Sequence, residues 1–188
     1  FSQMRNLKYL ILSSNQIVEI NSSILKDVNN LKSLNLDNNK ISFIRENTFF
    51  GLNILGELHL SGNFFKTLNS GVFNGLILKS SAGSVFTLTL ENTNLDNITG
   101  LFDNFTRLGE IYLMSNKISH IDNRTFVDVK KLIKLRLSFN PLKYVERNVL
   151  DRFGASLSEL YLRNIEANPS EFINFSKFTK LTILDVSQ

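Results

Sequence analysis

An apolar triplet in the frame L-x-x-L-x-L recurs along the whole chain, and successive triplets start 24, 24, 30, 23, 24, 25 and 24 residues apart. Alternating apolar and polar positions are typical of a short strand with one buried face. Eight matches in one register predict strands that start near residues 7, 31, 55, 85, 108, 132, 157 and 181. The triplets are Leu7-Leu10-Leu12, Leu31-Leu34-Leu36, Leu55-Leu58-Leu60, Val85-Leu88-Leu90, Leu108-Ile111-Leu113, Leu132-Leu135-Leu137, Leu157-Leu160-Leu162 and Leu181-Leu184-Val186. This period indicates a repeat protein.

An asparagine follows the triplet by three residues in several repeats, at Asn15, Asn39, Asn63, Asn116 and Asn140. Its side chain both donates and accepts hydrogen bonds, so a stack of asparagines can satisfy the backbone of successive buried turns. Thr93 and Ile165 occupy the asparagine position in the fourth and seventh repeats. We therefore expect the hydrogen bonds to be interrupted there, with Asn164 as a candidate substitute. Asn168-Pro169 predicts an irregular turn nearby.

Each repeat closes with two apolar residues three positions apart, and nine of the 16 phenylalanines lie in these pairs. One repeat cannot bury its own apolar face, so neighbouring repeats must stack into a solenoid. The strands would then form one continuous parallel sheet. The pairs are Phe1/Met4, Leu25/Val28, Phe49/Leu52, Phe73/Leu76, Phe102/Phe105, Phe126/Val129, Leu150/Phe153 and Phe175/Phe178.

The asparagine frame, the repeat length near 24 residues and the Phe-x-x-Leu closure resemble the leucine-rich repeat family. The resemblance is to the class typical of extracellular proteins, such as Toll-type receptor ectodomains and chaoptin-like adhesion proteins, and it covers essentially all 188 residues. It implies an α/β solenoid curved into a horseshoe. The parallel sheet would line the concave face, with loops and short helical turns on the convex side.

The chain is expected to be a single leucine-rich repeat segment over residues 1–188. Both ends stop inside a repeat, and neither carries the polar cap that a solenoid needs. We therefore expect an uncapped internal fragment of a longer protein. The one 30-residue spacing predicts an insertion loop at residues 77–84, which is a surface insertion or a loop that contacts a partner.

Composition excludes several kinds of chemistry. The chain has no cysteine, so it forms neither a disulfide nor a cysteine-ligated metal site. The net charge of +4 is dispersed along the chain, and there is no block of basic residues of the kind that binds nucleic-acid phosphates. We therefore predict no nucleic-acid partner. No apolar run approaches the roughly 20 residues of a membrane helix, so we expect no membrane insertion by this segment. His59 and His120 fall in different parts of different repeats, and no catalytic motif occurs. We predict a non-enzyme with no cofactor and no metal.

The strand positions that face away from the core predict a binding patch in repeats five to seven. Tyr112, Arg136 and Tyr161 become neighbours there, and tyrosine and arginine are enriched in interface hot spots. The predicted concave patch for a protein partner consists of Glu110, Tyr112, Met114, Lys134, Arg136, Phe139, Glu159, Tyr161 and Arg163. The alternative is a set of cross-strand pairs that only stabilise the sheet, each worth roughly 0.2–1 kcal/mol.

Five N-x-S/T sequons are candidates for N-glycosylation: Asn21, Asn97, Asn104, Asn123 and Asn174. Their number is close to chance for this composition, but all five lie outside the triplets, so sugars would leave the sheet free.

The leading hypothesis is a fragment of a cell-surface or secreted receptor or adhesion glycoprotein that binds a protein ligand or a partner receptor. One alternative is an architectural matrix or surface-coat glycoprotein that associates with itself. An intracellular adaptor is a third and weaker option, so the expected location is extracellular or at the cell surface.

Overall fold

The computed structural model describes residues 1, 3–76 and 85–188, and it contains an eight-stranded parallel sheet. The predicted insertion loop at residues 77–84 lies outside the described residues. The strands in chain order are β1 Tyr9–Ile11, β2 Ser33–Asn35, β3 Glu57–His59, β4 Phe86–Thr89, β5 Leu108–Tyr112, β6 His120–Ile121, β7 Lys134–Arg136, β8 Tyr144–Val145, β9 Glu159–Tyr161 and β10 Ile183–Asp185. The large sheet has the order β1-β2-β3-β4-β5-β7-β9-β10, while β6 and β8 pair separately.

The register of the large sheet places the middle residue of every triplet in one row. The row is Leu10, Leu34, Leu58, Leu88, Ile111, Leu135, Leu160 and Leu184. The first seven of these side chains are buried, and Leu184 on the last strand is exposed. The predicted solenoid with a parallel sheet is thus confirmed. The other side of the sheet, the sheet face, carries the x positions of the triplets.

In the described part of the chain, helix is confined to single turns between the strands. The α-helices are α1, Ser22–Leu25, and α2, Pro169–Phe172, and 3-10 turns occur at Asn74–Leu76, Asp151–Phe153 and Phe175–Lys177. The Asn168 side chain caps α2 by accepting a hydrogen bond from the Ser170 N–H at 3.2 Å. The irregular turn expected at this point is therefore a capped helical turn. In the part of the chain that is described, no helix has the length and apolarity to cross a bilayer.

The phenylalanines of the closing pairs pack against one another inside the solenoid. Ring centroids lie 6.3 Å apart for Phe49 and Phe73, and 5.9 Å apart for Phe73 and Phe105. A second series joins Phe102 to Phe126 at 5.9 Å and Phe126 to Phe153 at 6.1 Å. All six side chains are buried, so each repeat contributes apolar surface that its neighbour covers.

The fourth repeat corrects one predicted core position. Phe86 is fully buried and pairs with Leu108, whereas Val85, the predicted first residue of the triplet, is half-buried. The register shifts between Phe86 and Thr87, as at a β-bulge. Gly109 on the next strand accommodates this shift, because a Cβ there would lie 2.3 Å from Cγ1 of Val85. A bulge that exchanges two adjacent apolar residues leaves no trace in the hydrophobic pattern.

Buried asparagines connect the turns of adjacent repeats. The Asn140 carboxamide donates to the carbonyls of Leu137 at 2.8 Å and Leu113 at 2.9 Å. Its oxygen accepts from the Ile118 N–H at 3.1 Å, so one side chain satisfies backbone groups in two repeats. The same arrangement recurs at Asn39, Asn63 and Asn116.

The prediction that Thr93 interrupts the hydrogen bonds between repeats is wrong for its contact with the fifth repeat. The Thr93 hydroxyl lies 3.0 Å from the Leu90 carbonyl and 2.9 Å from Oδ1 of Asn116, which also accepts from the Thr93 N–H. Ile165 is buried and has no polar atom to offer. Asn164 does not replace an asparagine there, since it is exposed and adopts φ 53°.

Asn140→Ala is expected to destabilise the fold strongly. It leaves the Leu113 and Leu137 carbonyls and the Ile118 N–H without this partner in a buried turn. A buried group without a hydrogen bond costs about 1–3 kcal/mol, so the free energy of unfolding in urea should fall by about 3 kcal/mol or more.

Asn15→Ala is the matched control, because Asn15 is exposed and, among the described residues, bonds only to carbonyls of its own turn. Its loss should stay below about 1 kcal/mol. Equal losses for the two variants would contradict the bridging role of the buried asparagines.

Candidate binding surface on the sheet face

The parallel register arranges the outward side chains in three columns, each contributing one residue per repeat. The central column is Ile11, Asn35, His59, Thr89, Tyr112, Arg136, Tyr161 and Asp185. The preceding column is Tyr9, Ser33, Glu57, Thr87, Glu110, Lys134, Glu159 and Ile183. The third column is Ser13, Asp37, Ser61, Glu91, Met114, Ser138, Arg163 and Ser187, where backbone hydrogen bonds continue past the strands. Side chains distant in sequence are thereby fixed as neighbours.

Arg136 lies between two tyrosine rings. Its guanidinium carbon is 4.8 Å from the ring centroid of Tyr112 and 4.7 Å from that of Tyr161. Both distances are within the range of a cation–π interaction. The Arg136 side chain remains 32% exposed, so the stack is supported by its neighbours and still accessible from solvent.

Two glutamates neutralise the cations of this stack. Lys134 Nζ lies 3.1 Å from Glu159 Oε1 and 4.0 Å from Glu110 Oε1. Arg136 Nη2 lies 3.8 Å from the other oxygen of Glu159. The hydrogen bond to Glu159 and the charge of Glu110 raise the pKa of Lys134, which therefore remains protonated at neutral pH.

The tyrosine hydroxyls complete this network. Tyr112 donates to Glu110 Oε2 at 3.2 Å, and Tyr161 donates to Glu159 Oε2 at 3.4 Å. Burial and the charge of Glu110 raise the pKa of Tyr112, which keeps the hydroxyl protonated and able to donate. The rings are thus held in place by contacts at both the face and the hydroxyl.

The remaining residues of the predicted patch lie at the edge of the sheet face. Arg163 and Met114 belong to the third column, and Phe139 lies in the turn that follows β7. The guanidinium of Arg163 is 5.5 Å from the ring centroid of Phe139, and Phe139 is 41% exposed. The structure therefore brings all nine predicted residues to one region.

Glu91 is a member of this region that the sequence analysis missed. Its Oε1 atom is buried and has no hydrogen-bond partner among the described residues. Burial raises the pKa of Glu91 despite the nearby positive charge of Arg136. The charge of Asp37, two repeats earlier in the same column, raises the pKa further. Glu91 belongs to the fourth repeat, whereas the tyrosines on which the predicted patch is based lie in repeats five and seven.

The two histidines are separate, as expected. His59 lies on the sheet face with Nε2 3.7 Å from Glu57 Oε2. His120 is in the small sheet, where its ring lies 5.9 Å from that of Tyr144. Within residues 1, 3–76 and 85–188, no cluster of three or more histidine, aspartate or glutamate residues could hold a metal ion.

All five sequon asparagines lie outside the eight strands of the large sheet. Asn21 is half-buried, and the other four, Asn97, Asn104, Asn123 and Asn174, are exposed. Asn21 and Asn174 cap short helices, and each accepts a hydrogen bond from the serine hydroxyl two residues later, at 2.6 Å and 2.7 Å. Their placement leaves the sheet face uncovered.

Comparison with protein families gives a match to the family described as leucine rich repeat, over residues 5–65, 29–80, 84–142 and 106–165. These segments together cover more than half of the chain. Comparison with curated proteins gives no match.

Three solved structures are similar to this chain in fold. The Drosophila Toll–Spatzle complex matches with a TM-score of 0.72 at 18% identity, over 98% of this chain and 29% of that chain. Internalin C2 from Listeria monocytogenes matches with 0.73 at 22% identity, over 95% and 70%. The TLR13–ssRNA13 complex matches with 0.71 at 24% identity, over 96% and 30%. This chain therefore spans less than a third of the Toll and TLR13 chains.

Glu91→Gln is expected to raise the free energy of unfolding at pH 7. The folded state disfavours the ionised form, so wild-type stability falls as the pH rises through 4.5, the unperturbed value, and the higher folded pKa. The difference between the two proteins should therefore shrink to nothing below pH 4.5.

Urea unfolding at pH 7 and pH 3.5 would measure this difference, with Glu57→Gln, an exposed glutamate on the same face, as the control. A Glu91→Gln protein less stable than wild type at pH 7 would contradict the burial argument.

Proposed function

This chain belongs to the leucine-rich repeat family, and from that premise we propose that it acts by binding a protein and not as an enzyme. The observation that carries the proposal is the position of Arg136 between Tyr112 and Tyr161 on the sheet face. Arginine and tyrosine are, together with tryptophan, the side chains enriched at interface hot spots.

The rigidity of this stack supports binding. The rings and the guanidinium are already held by the hydrogen bonds and ion pairs to Glu110 and Glu159. A partner would therefore immobilise few additional rotamers, which lowers the entropy lost on association. Cross-strand stabilisation uses the same contacts, but it gives no reason for the exposed ring of Phe139 beside them.

The charges of the patch favour a protein over a nucleic acid. Lys134 and Arg136 share the carboxylate of Glu159, and Glu110 adds a second negative charge. Phosphate groups of a nucleic acid would be repelled by these glutamates, and the net charge of +4 is dispersed along the chain. The single-stranded RNA named for TLR13 belongs to that protein.

We assign the protein to the extracellular space or the cell surface, as part of a receptor or adhesion glycoprotein. Two observations support this assignment: the repeat class that the asparagine frame resembles, and sequons that leave the sheet face free.

A matrix or surface-coat protein with homotypic packing is the second candidate. Phe43 and Phe64 are 41% and 57% exposed and line one depression outside the eight strands of the sheet. Two copies that cover such side chains would associate laterally. Sedimentation velocity over a range of concentrations separates the candidates, since only homotypic packing predicts association that weakens in Phe64→Ser.

Arg136→Ala and Tyr161→Ala are expected to weaken binding of the natural protein partner by at least about tenfold each, as residues of a hot spot do. Immobilised wild-type protein and the variants would be incubated with extracellular fluid and solubilised cell-surface proteins, and the retained proteins quantified by mass spectrometry. Thermal unfolding would verify that the variants are folded.

Tyr9→Ala is the matched control, since Tyr9 is a tyrosine on the same face that is 63% exposed, at the opposite end of the sheet. It should retain the same proteins as wild type. If Arg136→Ala and Tyr161→Ala retained as much partner as Tyr9→Ala, the patch would not be the binding surface.

We also expect at least one sequon to carry a glycan when the protein passes through the secretory pathway. Treatment with an N-glycosidase should lower the mass of secreted protein. Replacing the five sequon asparagines by glutamine should remove this shift. A secreted wild-type protein whose mass does not change would count against the glycoprotein assignment.

A further inference from the structure

One backbone position is left-handed in seven successive repeats. It immediately precedes the asparagine position, and its residues are Ser14, Asn38, Gly62, Asn92, Ser115, Phe139 and Asn164, with φ between 53° and 67°. Glycine has no Cβ to clash in this conformation, and asparagine is the side chain that tolerates it best. Six of the seven repeats carry a glycine, asparagine or serine there, and one carries a phenylalanine.

Phe139, at φ 59°, is therefore disfavoured by its own backbone. A bulky residue in the left-handed region is an outlier that persists because the surrounding structure holds it. Burial does not explain its presence, since the residue is 41% exposed. Neither the backbone conformation nor burial therefore favours a phenylalanine at this position.

Arg163 is the polar residue in contact with Phe139. Its guanidinium lies over the Phe139 ring at 5.5 Å. Among the described residues no carboxylate lies within 4 Å of it, whereas Lys134 and Arg136 share Glu159. Asp185, the acid on the following strand, accepts hydrogen bonds from the hydroxyl and the N–H of Ser187. These bonds lower the pKa of Asp185, and the charge of Arg163 lowers it further without forming an ion pair within 4 Å.

We propose that Phe139 and Arg163 form the anchor of the binding surface and hold a protein segment in which an apolar side chain stands next to a carboxylate. The inference rests on the proposed function and specifies the chemistry of its partner. The apolar side chain covers the exposed ring, and the carboxylate accepts hydrogen bonds from the guanidinium, which can bind it in a bidentate manner.

A single carboxylate fits this place better than a polyanion. The glutamates of the adjacent stack, Glu110 and Glu159, are already paired with Lys134 and the tyrosine hydroxyls. Their negative charges would repel a second and third anionic group extending across the sheet face. The acidic residue of the partner therefore lies at the edge, over Arg163.

The alternative is that Phe139 serves only to stabilise the fold, and the two roles predict different melting temperatures for a variant. Its ring could shield Ser138, whose hydroxyl accepts from the Arg163 N–H at 3.0 Å, and the adjacent buried Asn140. In that case Phe139→Asn would lower the melting temperature. An interface role predicts a melting temperature that is unchanged or higher, because asparagine relieves the backbone strain.

Asn92→Phe provides the reciprocal control. It places a phenylalanine at the same left-handed position, at φ 53°, in the fourth repeat. This variant should melt at a lower temperature than wild type. A lower melting temperature for Phe139→Asn, or a higher one for Asn92→Phe, would overturn the strain argument on which the anchor depends.

Binding is tested with a phage-displayed library of random dodecapeptides, selected on the wild-type protein. We expect enriched peptides to carry an aspartate or glutamate close to a leucine, isoleucine or phenylalanine. Synthetic copies should bind at least tenfold more weakly to Phe139→Asn and to Arg163→Ala, and peptides with lysine in place of the acid should not bind.

The two proposals can fail separately. Selected peptides that bind Phe139→Asn as tightly as wild type would overturn the anchor. If those peptides still weaken with Tyr161→Ala, the proposed function stands without it. Enrichment of basic or uncharged peptides would also overturn the anchor, since the partner would then lack the predicted carboxylate.

Discussion

The turns that follow each strand bury backbone groups, and hydrogen bonds from asparagine side chains satisfy those groups across the boundaries between repeats. Asn140, for example, bonds to Leu113 and Ile118 in one repeat and to Leu137 in the next. These bonds fix the vertical register of neighbouring repeats, because a shift by one residue would leave both sides unsatisfied. Between the sixth and seventh repeats, where Ile165 offers no such bond, the parallel pairing of β7 and β9 maintains the register. Every column of side chains on the sheet face depends on this register.

The proposed function depends on which side chains of neighbouring repeats the register brings together on the sheet face. Tyr112, Arg136 and Tyr161 come from three separate repeats, yet their rings and guanidinium form one stack. Glu110 and Glu159 neutralise the charge and orient the hydroxyls. The surface is therefore organised before a partner arrives. Its edge presents an exposed aromatic residue, Phe139, beside the guanidinium of Arg163, which has no carboxylate within 4 Å among the described residues.

The repeat frame predicts the solenoid, the parallel sheet and the columns, because burial of one strand face restricts which residues can occupy it. The repeat frame does not reveal other features of the structure. Val85 and Phe86 are both apolar, so the bulge that exchanges them is not visible in the sequence. The asparagine pattern predicts an interruption at Thr93, yet the Thr93 hydroxyl lies 2.9 Å from Oδ1 of Asn116. The left-handed backbone at Phe139 could not be predicted from the sequence, because phenylalanine is not a residue type typical of that conformation.

The most direct measurement of the central claim is a structure of this chain bound to its natural protein partner. The account predicts a partner over β5, β7 and β9, with Arg136 still between the two tyrosine rings as in the free chain. A partner bound on the helical side, or an Arg136 that leaves the stack on binding, would contradict the account of a sheet face organised in advance.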